Sequence, residues 1–265
     1  MPQLPREAID ARHREIMRTH FATLGALFNP VTFGHLDRLG VGPGWRCWEA
    51  GAGGPAVPVW LSQRAGPDGY VLATDRDISV LQEAAQHGFE IRQHDLSSGP
   101  PPARELDLVH ARLVLMHLTD PRSVLAAMTG ALRPGGWLLA EDADPLLQPL
   151  ACPDQAGPGQ QLANKLRQAT WTLMSQRADL GFGRKLPRLL REAGLCEIGA
   201  SAHIPLAAPA LAQFQRTIIE RQRERLVTAG LASDEEIGMH LHDINVGGLD
   251  LASFPVVSAW GRKPG

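Results

Sequence analysis

Residues 47–55 read CWEAGAGGP. Cys47-Trp48 is the apolar end of a short run, Glu49 follows, and the chain then carries almost no side chain through Gly51-Ala52-Gly53-Gly54 before Pro55. This is a strand end entering a glycine-rich turn. Glycine reaches left-handed backbone angles and lets a ligand approach the main chain closely. A strand, such a turn and a helix form a cradle. In open α/β sheets the ligand lies outside the carboxyl ends of the strands, near the point where strand order reverses.

Working outward, short apolar runs alternate with helical segments. Strands are expected at 46–50, 70–74, 89–93, 106–110 and 137–141, and helices at 54–65, from Asp77 to Gly88, and from Thr119/Asp120 with Pro121 to Leu132. Arg133-Pro134-Gly135-Gly136 reads as a turn. This alternation predicts a three-layer α/β fold, a parallel sheet with helices on both faces. Upstream, residues 6–28 predict a helix stopped by Asn29-Pro30, with a second short helix at 31–39. Downstream, 145–165 read as loop. Helices are expected at 162–180, 187–193, 211–229 and 233–242, the last opened by a Ser233/Glu236 capping box. Further strands are expected at 195–204 and 255–261. Four regions result: an N-terminal helical lid (1–40), a ligand-binding core (41–144), a helical insertion or lid (145–194), and a C-terminal part (195–265) that completes the sheet and cleft.

Bulk properties narrow the function classes. The chain has 265 residues, a net charge of −2 and a hydrophobic fraction of 44%. Nothing here predicts nucleic-acid binding, which asks for a clustered basic face. The run Arg221-Gln222-Arg223-Glu224-Arg225 is interrupted by an acid and reads as a solvated helix face. Three dispersed cysteines predict neither a disulfide framework nor a zinc ribbon, and His240-x-His242 has the wrong spacing for a metal on a helix. No apolar run is long enough for a membrane span, and the expected location is the cytoplasm. A homodimer is an open arrangement. G-x-S-x-G, P-loop and HExxH signatures do not occur.

Acids follow three successive strands: Glu49, Asp75 in "LATDRD" and Asp95 in "IRQHDL". Gly51-x-Gly53-x-x-Ala56 also satisfies a dinucleotide fingerprint, with Asp75 where a ribose-binding acid is expected. A pyrophosphate would be poorly served by that much negative charge. A ligand with a neutral ribose, an amine and a sulfonium would be well served. Together "WEAGAGGP", "VLATDRD", "QHDL", "LDLVHARLVLMHL" and "LRPGGWLLAED" resemble class I S-adenosylmethionine-dependent methyltransferases of the small-molecule type, especially those of actinomycete secondary metabolism. The resemblance covers about residues 40–142.

What the resemblance implies is a Rossmann-like, seven-stranded, mostly parallel sheet with an antiparallel last strand and helical lid elements. It also implies S-adenosyl-L-methionine as cofactor, with S-adenosyl-L-homocysteine as product. Glu49, Gly51 and Gly53 would cradle the methionine end, and Asp75 would receive the ribose hydroxyls. Arg76 would lie beside the adenine, and Asp95 with Leu96 would read it. His110, Ala111 and Arg112 would lie under the sulfonium and the methionine carboxylate. Pro55 stands where the family often has a further glycine and removes an amide donor. On the acceptor side, Glu141 and Asp142 end the fifth strand and are candidates for contacting or deprotonating the acceptor, as is His117; His20 is a weaker one. No metal is expected. Trp171, Met174, Phe182, Phe214 and Met239 are candidates for an apolar lining. The acceptor expected is a small, hydrophobic or aromatic molecule methylated on O, N or C. An NAD(P)-dependent oxidoreductase is the alternative, although no YxxxK accompanies the lone Tyr70. A non-methylating cyclase or pseudo-enzyme that binds the same cofactor is another.

Overall fold

The computed structural model describes residues 6–265, with side chains described except at 6–10, 13 and 85. Residues 1–5 of the expected lid, and the side chain of Ile9, therefore lie outside the description. A single sheet of seven strands forms the middle layer, in the order β3-β2-β1-β4-β5-β7-β6. The strands are β1 (Arg46–Ala50), β2 (Tyr70–Asp75), β3 (Glu90–Gln93), β4 (Leu106–Arg112), β5 (Leu132–Ala143), β6 (Cys196–His203) and β7 (Val256–Arg262). β1 through β5 pair in parallel, whereas β7 runs antiparallel to both β5 and β6. The strand order reverses between β1 and β4, so the cleft opens at the tips of those strands. Central β1 and β4 are buried almost throughout, as strands covered on both faces must be, while the edge strands β3 and β6 are largely exposed.

The helices follow the expected order with two changes of shape. α1 is one continuous helix, Arg6–Leu39, with Pro30 inside it. A proline interrupts one intrahelical bond at a cost of about 3 kcal/mol. Here tertiary burial outweighs that cost: Leu27, Phe28, Thr32, His35 and Leu36 on both sides of Pro30 are buried. The helix expected from Asp77 shrinks to a 3-10 turn, Gln82–His87, because the Asp77 carboxylate instead accepts the amide of Ser79 at 2.9 Å and holds a local turn. Near β5, Arg133-Pro134-Gly135-Gly136 is absorbed into the strand rather than standing as a separate turn. The pairing register shifts from Leu106–Leu132 to Leu108–Trp137, and the Gly135 amide bonds to the Lys263 carbonyl at 2.9 Å.

α2 (Ala56–Ala65) and the last turns of α1 cover one face of the sheet; α3 (Pro121–Ala131) and α5 (Leu186–Glu192) help cover the other. α3 starts at Asp120, whose carboxylate caps the Ser123 amide. α4 (Pro158–Met174), α6 (Ala210–Thr228) and α7 (Asp234–Val246) share a small apolar core of their own around Leu166, Leu173, Ile219 and Leu226, and α1 packs against α6. The Ser233/Glu236 capping box opens α7.

Below the cleft, the sheet centre holds a buried ionic network. His110 of β4 lies between Glu49 of β1, at 2.5 Å from Nδ1, and Glu141 of β5, at 3.1 Å from Nε2. Glu141 also accepts from Thr32 of α1 and from Ser258 of β7, each at 2.5 Å. Arg112 then donates to Thr32 and Asn29, both at 2.8 Å. Burial alone would lower the His110 pKa, but the charge of Glu49 and the hydrogen bonds to Glu141 and Glu49 outweigh it and raise the pKa to about 9. Burial would likewise raise that of Glu141, yet the hydrogen bond and charge of His110 hold it at about 2. The network is thus an imidazolium between two carboxylates.

Removing one partner of a buried ion pair strands the other, which costs about 3–5 kcal/mol. His110→Leu is expected to lose about that much in urea unfolding at pH 7. A pKa raised on folding contributes stability that is complete below the unfolded value, near 6.5, and is lost as pH rises through about 9. The melting temperature of the native chain should therefore fall between pH 7 and pH 9.5. The same alkaline fall should be absent from His110→Leu, and an equal fall in both proteins would contradict the charge assignment.

Candidate functional site

The chain turns sharply after β1. Gly51 and Gly53 have φ of +70° and +60°, which L side chains rarely adopt. Space reinforces the requirement. A Cβ on Gly51 would stand 2.4 Å from Cγ2 of Val114, and one on Gly53 would stand 2.5 Å from Cε1 of Phe21. The turn is therefore bare because α1 and the β4 tip close over it. Its amides are tied to β2: Ala52 donates to the Thr74 carbonyl and Gly53 to Oδ2 of Asp75, both at 2.9 Å. Asp75 braces the turn from the adjacent strand tip. Pro55 occupies the N-cap of α2 in helical geometry with no side-chain cap, so the helix start presents one amide fewer.

Above this turn lies a cavity of about 660 Å³. At one end it is lined by Gly51 to Gly54, by Asp75 and Arg76, and by Asp95, Leu96 and Ser97 beyond β3. Asp95 holds its own loop through the Ser97 amide at 2.9 Å. Past β4, Leu113 takes φ of +59°, a strained value for a branched side chain. Its amide bonds to the Glu141 carbonyl at 2.8 Å, and the next residues, Val114, Met116 and His117, form the cavity wall. The other end is made by α1, α4 and α6 together with Phe254. Phe254 gathers Phe28, Phe214 and Trp171 at ring separations of 5.7, 5.8 and 5.9 Å.

Most expected cofactor residues meet at this cavity: Gly51, Gly53, Asp75, Arg76, Asp95, Leu96 and Arg112. Glu49, His110 and Ala111 do not. They are sealed in the sheet, 2%, 0% and 2% exposed, and the Glu49 carboxylate faces His110 rather than a ligand. Two strand-tip acids, not three, border the cavity.

The expectation for Glu141 and Asp142 also needs correction. Both are fully buried and neither lines the cavity. Glu141 is saturated by His110, Thr32 and Ser258. Asp142 accepts the Met116 amide at 3.1 Å, which anchors the 3-10 turn Leu115–His117 to β5. Burial raises its pKa to about 7 against the hydrogen bonds from Met116, Ala143 and Leu115. His117 does reach the cavity, and desolvation there, aided by the charge of Arg76, lowers its pKa.

His20 gains weight from the structure. It lines the cavity, stacks on Phe214 at 6.2 Å, and its Nδ1 has no partner among the described residues. Burial, helped by the Arg221 charge, lowers its pKa to about 4, so the ring is neutral at pH 7. Of the expected apolar lining, Trp171, Met174 and Phe214 are present, whereas Phe182 is in the core and Met239 is exposed on α7. Phe21, Val114 and Phe254 went unnoticed in the sequence because only the folding of distant segments puts them here.

The donor set fits S-adenosylmethionine. A bare backbone turn is joined to a carboxylate at the β2 tip and a second acid beside Leu96 at the β3 tip, and Arg112 stands across the cleft. Among the described residues, no group of three or more His, Cys, Asp or Glu could hold a metal, and no helix is long and apolar enough to cross a membrane.

Comparison with known proteins agrees with this geometry. Residues 48–140 match the family model for a methyltransferase domain. Methyltransferase str3 of Strobilurus tenacellus is 29% identical over 218 residues, 80% of this chain and 73% of that protein. Methyltransferase str2 of the same organism is 33% identical over 138 residues, 51% of this chain and 45% of that protein, so the chain spans less than half of this relative. Phosphoethanolamine N-methyltransferase 2 of Haemonchus contortus, solved with S-adenosyl-L-methionine, superposes with a TM-score of 0.51 at 16% identity, over 90% of this chain and 53% of that one. The domain match, these relatives and the 3-2-1-4-5-7-6 sheet with its lone antiparallel strand support a class I S-adenosylmethionine-dependent methyltransferase.

Proposed function

We propose that the chain transfers a methyl group to an O, N or C atom of a small, secondary-metabolite-like acceptor with an apolar body. The observation that carries this is the two-ended cavity. Its glycine and acid end suits the cofactor, and it runs without interruption into an aromatic end under α1, α4 and α6.

S-adenosylmethionine, when bound, supplies an electrophilic methyl on a positively charged sulfur. The residues around it have separable tasks. The Gly51–Gly54 backbone would hold the methionine part, and Asp75 would receive the ribose hydroxyls. Asp95 and Leu96 would read the adenine, and Arg112, itself held by Thr32 and Asn29, would bind the methionine carboxylate. Phe21, Met174, Trp171 and Phe214 exclude water and orient the acceptor. Where the acceptor atom carries a proton, a neutral imidazole is the available base, at His20 or at His117. Glu141 and Asp142 are positioning residues, one fixing the buried network and the other the turn that carries Met116 and His117.

Two measurements test this. Losing a hydrogen bond to a charged group costs about 1.5–3 kcal/mol, or about 10- to 150-fold in affinity. Asp75→Ala should weaken calorimetric binding of S-adenosylhomocysteine by about that factor, and the native chain should move labelled methyl from the cofactor into an acceptor. Cofactor binding with no methyl transfer to any acceptor would favour a non-methylating use of the site. The second measurement is a pH profile. A base with a lowered pKa stays deprotonated at neutrality, so kcat should be level from pH 6.5 to 8 and fall only as pH drops further. The acid limb should vanish in the variant, His20→Asn or His117→Asn, that removes the base; an acid limb unchanged in both would exclude an imidazole base.

A further inference from the structure

The basic run 221–225 does not behave as one solvated face. On α6, Arg223 pairs with Asp234 on the outside of the bundle, and Arg216 pairs with Glu220. Arg221, Gln222 and Arg225 turn the other way and line the cavity. Arg225 is held by the Gln222 side chain at 2.9 Å. Among the described residues, the Arg221 side chain has no hydrogen-bond or ion-pair partner, and neither has that of Arg177 beyond the end of α4, which lines the same end. Nearby Asp179 is engaged with Lys185.

The acids are distributed in the opposite way. Asp75 and Asp95 are the only carboxylates among the lining residues described, and both stand at strand tips on the cofactor side. The acceptor end therefore combines an aromatic wall with three arginines and no acid. Its imidazole, His20, is neutral and keeps Nδ1 free. Arg221 lines the cavity while staying exposed to solvent, and the surrounding wall removes part of its water and lowers its pKa. A cation in that position is stabilised by an anion seated beside it, because a guanidinium matches the two oxygens of an oxyacid group. A cationic acceptor would find no counter-charge there.

We propose that the acceptor is an amphipathic anion: an aromatic or otherwise apolar body against Phe21, Trp171 and Phe214, carrying an oxyacid group bound by Arg221 with Arg177 and Arg225. This rests on the methyltransferase reading of the cavity and adds the charge of its substrate. Specificity then comes from the side of α6 that faces inward.

The test is equilibrium binding, measured by calorimetry on the full chain with and without saturating S-adenosylhomocysteine. The probes are 2-naphthoate, 1-naphthyl phosphate and the neutral 2-naphthamide. Either anion should bind at least about tenfold more tightly than the amide, the size of one charge-assisted hydrogen bond. The preferred anion distinguishes a carboxylate from a phosphate acceptor. Arg221→Gln should erase the preference while S-adenosylhomocysteine binding stays unchanged, and Arg223→Gln, on the outer side, should keep it. Equal affinity for anions and amide, no binding of either anion, or a preference that survives Arg221→Gln would overturn the proposal. Failure of S-adenosylhomocysteine to bind would instead sink the cofactor reading, since the probes are also measured without it.

Discussion

The Glu49–His110–Glu141 network fixes the geometry on which the cavity depends. Three neighbouring strands are cross-linked at one level by a single charged imidazole. Through Thr32 and Ser258 the same group reaches the long N-terminal helix and the antiparallel strand. A buried charge cluster of this kind is costly to form, because several groups give up their water. Its value is positional. A carboxylate so heavily engaged cannot rotate, and so the strand tips just beyond it leave the sheet in fixed directions. One leads into the glycine turn, another through strained Leu113 into the wall at Val114 and Met116.

α1 links the network to the cleft. Its C-terminal half supplies Thr32 and Asn29, which hold Arg112, while Phe21 in its N-terminal half packs on Gly53. The same helix thus secures the floor and forms part of the roof. A break at Pro30 would uncouple the two, and the burial of Phe28 and Leu36 on either side opposes one. The roof is completed by α4 and α6, which share a small core separate from that of the sheet. Their packing allows one end of the cavity, apolar and cationic, to differ in character from the other, glycine-rich and acidic.

Legibility in the sequence followed the range of the interactions. All seven strands could be located, because buried parallel strands are nearly continuous apolar runs and the glycines and prolines between them mark turns. Asp120 and Ser233 announced helix starts through local hydrogen bonding. That Gly51, Gly53, Asp75, Asp95 and Leu96 meet at one cavity was readable because the strand-turn-helix unit brings those residues together by local geometry. Errors arose where the side chain's direction decided. Glu49, Glu141 and Asp142 all sit at strand ends, but along a strand the choice between pointing into the sheet layer and pointing at the cleft depends on which partners wait there. His110 was that partner, 61 residues from Glu49 and 31 from Glu141. The Arg221–Arg225 run shows the same limit, since its charges divide between an outer and an inner side that only the docking of α6 defines.

By itself, then, the sequence determined the order of elements, the parallel sheet and the bare turn with its bracing acid, since each follows from hydrophobic periodicity and backbone freedom within a few dozen residues. Only the tertiary structure decided which acids are silent, which histidines and arginines face the cavity, and that α1 runs unbroken. These outcomes depend on burial and on contacts between segments far apart in the chain, where desolvation and partner geometry override local preference.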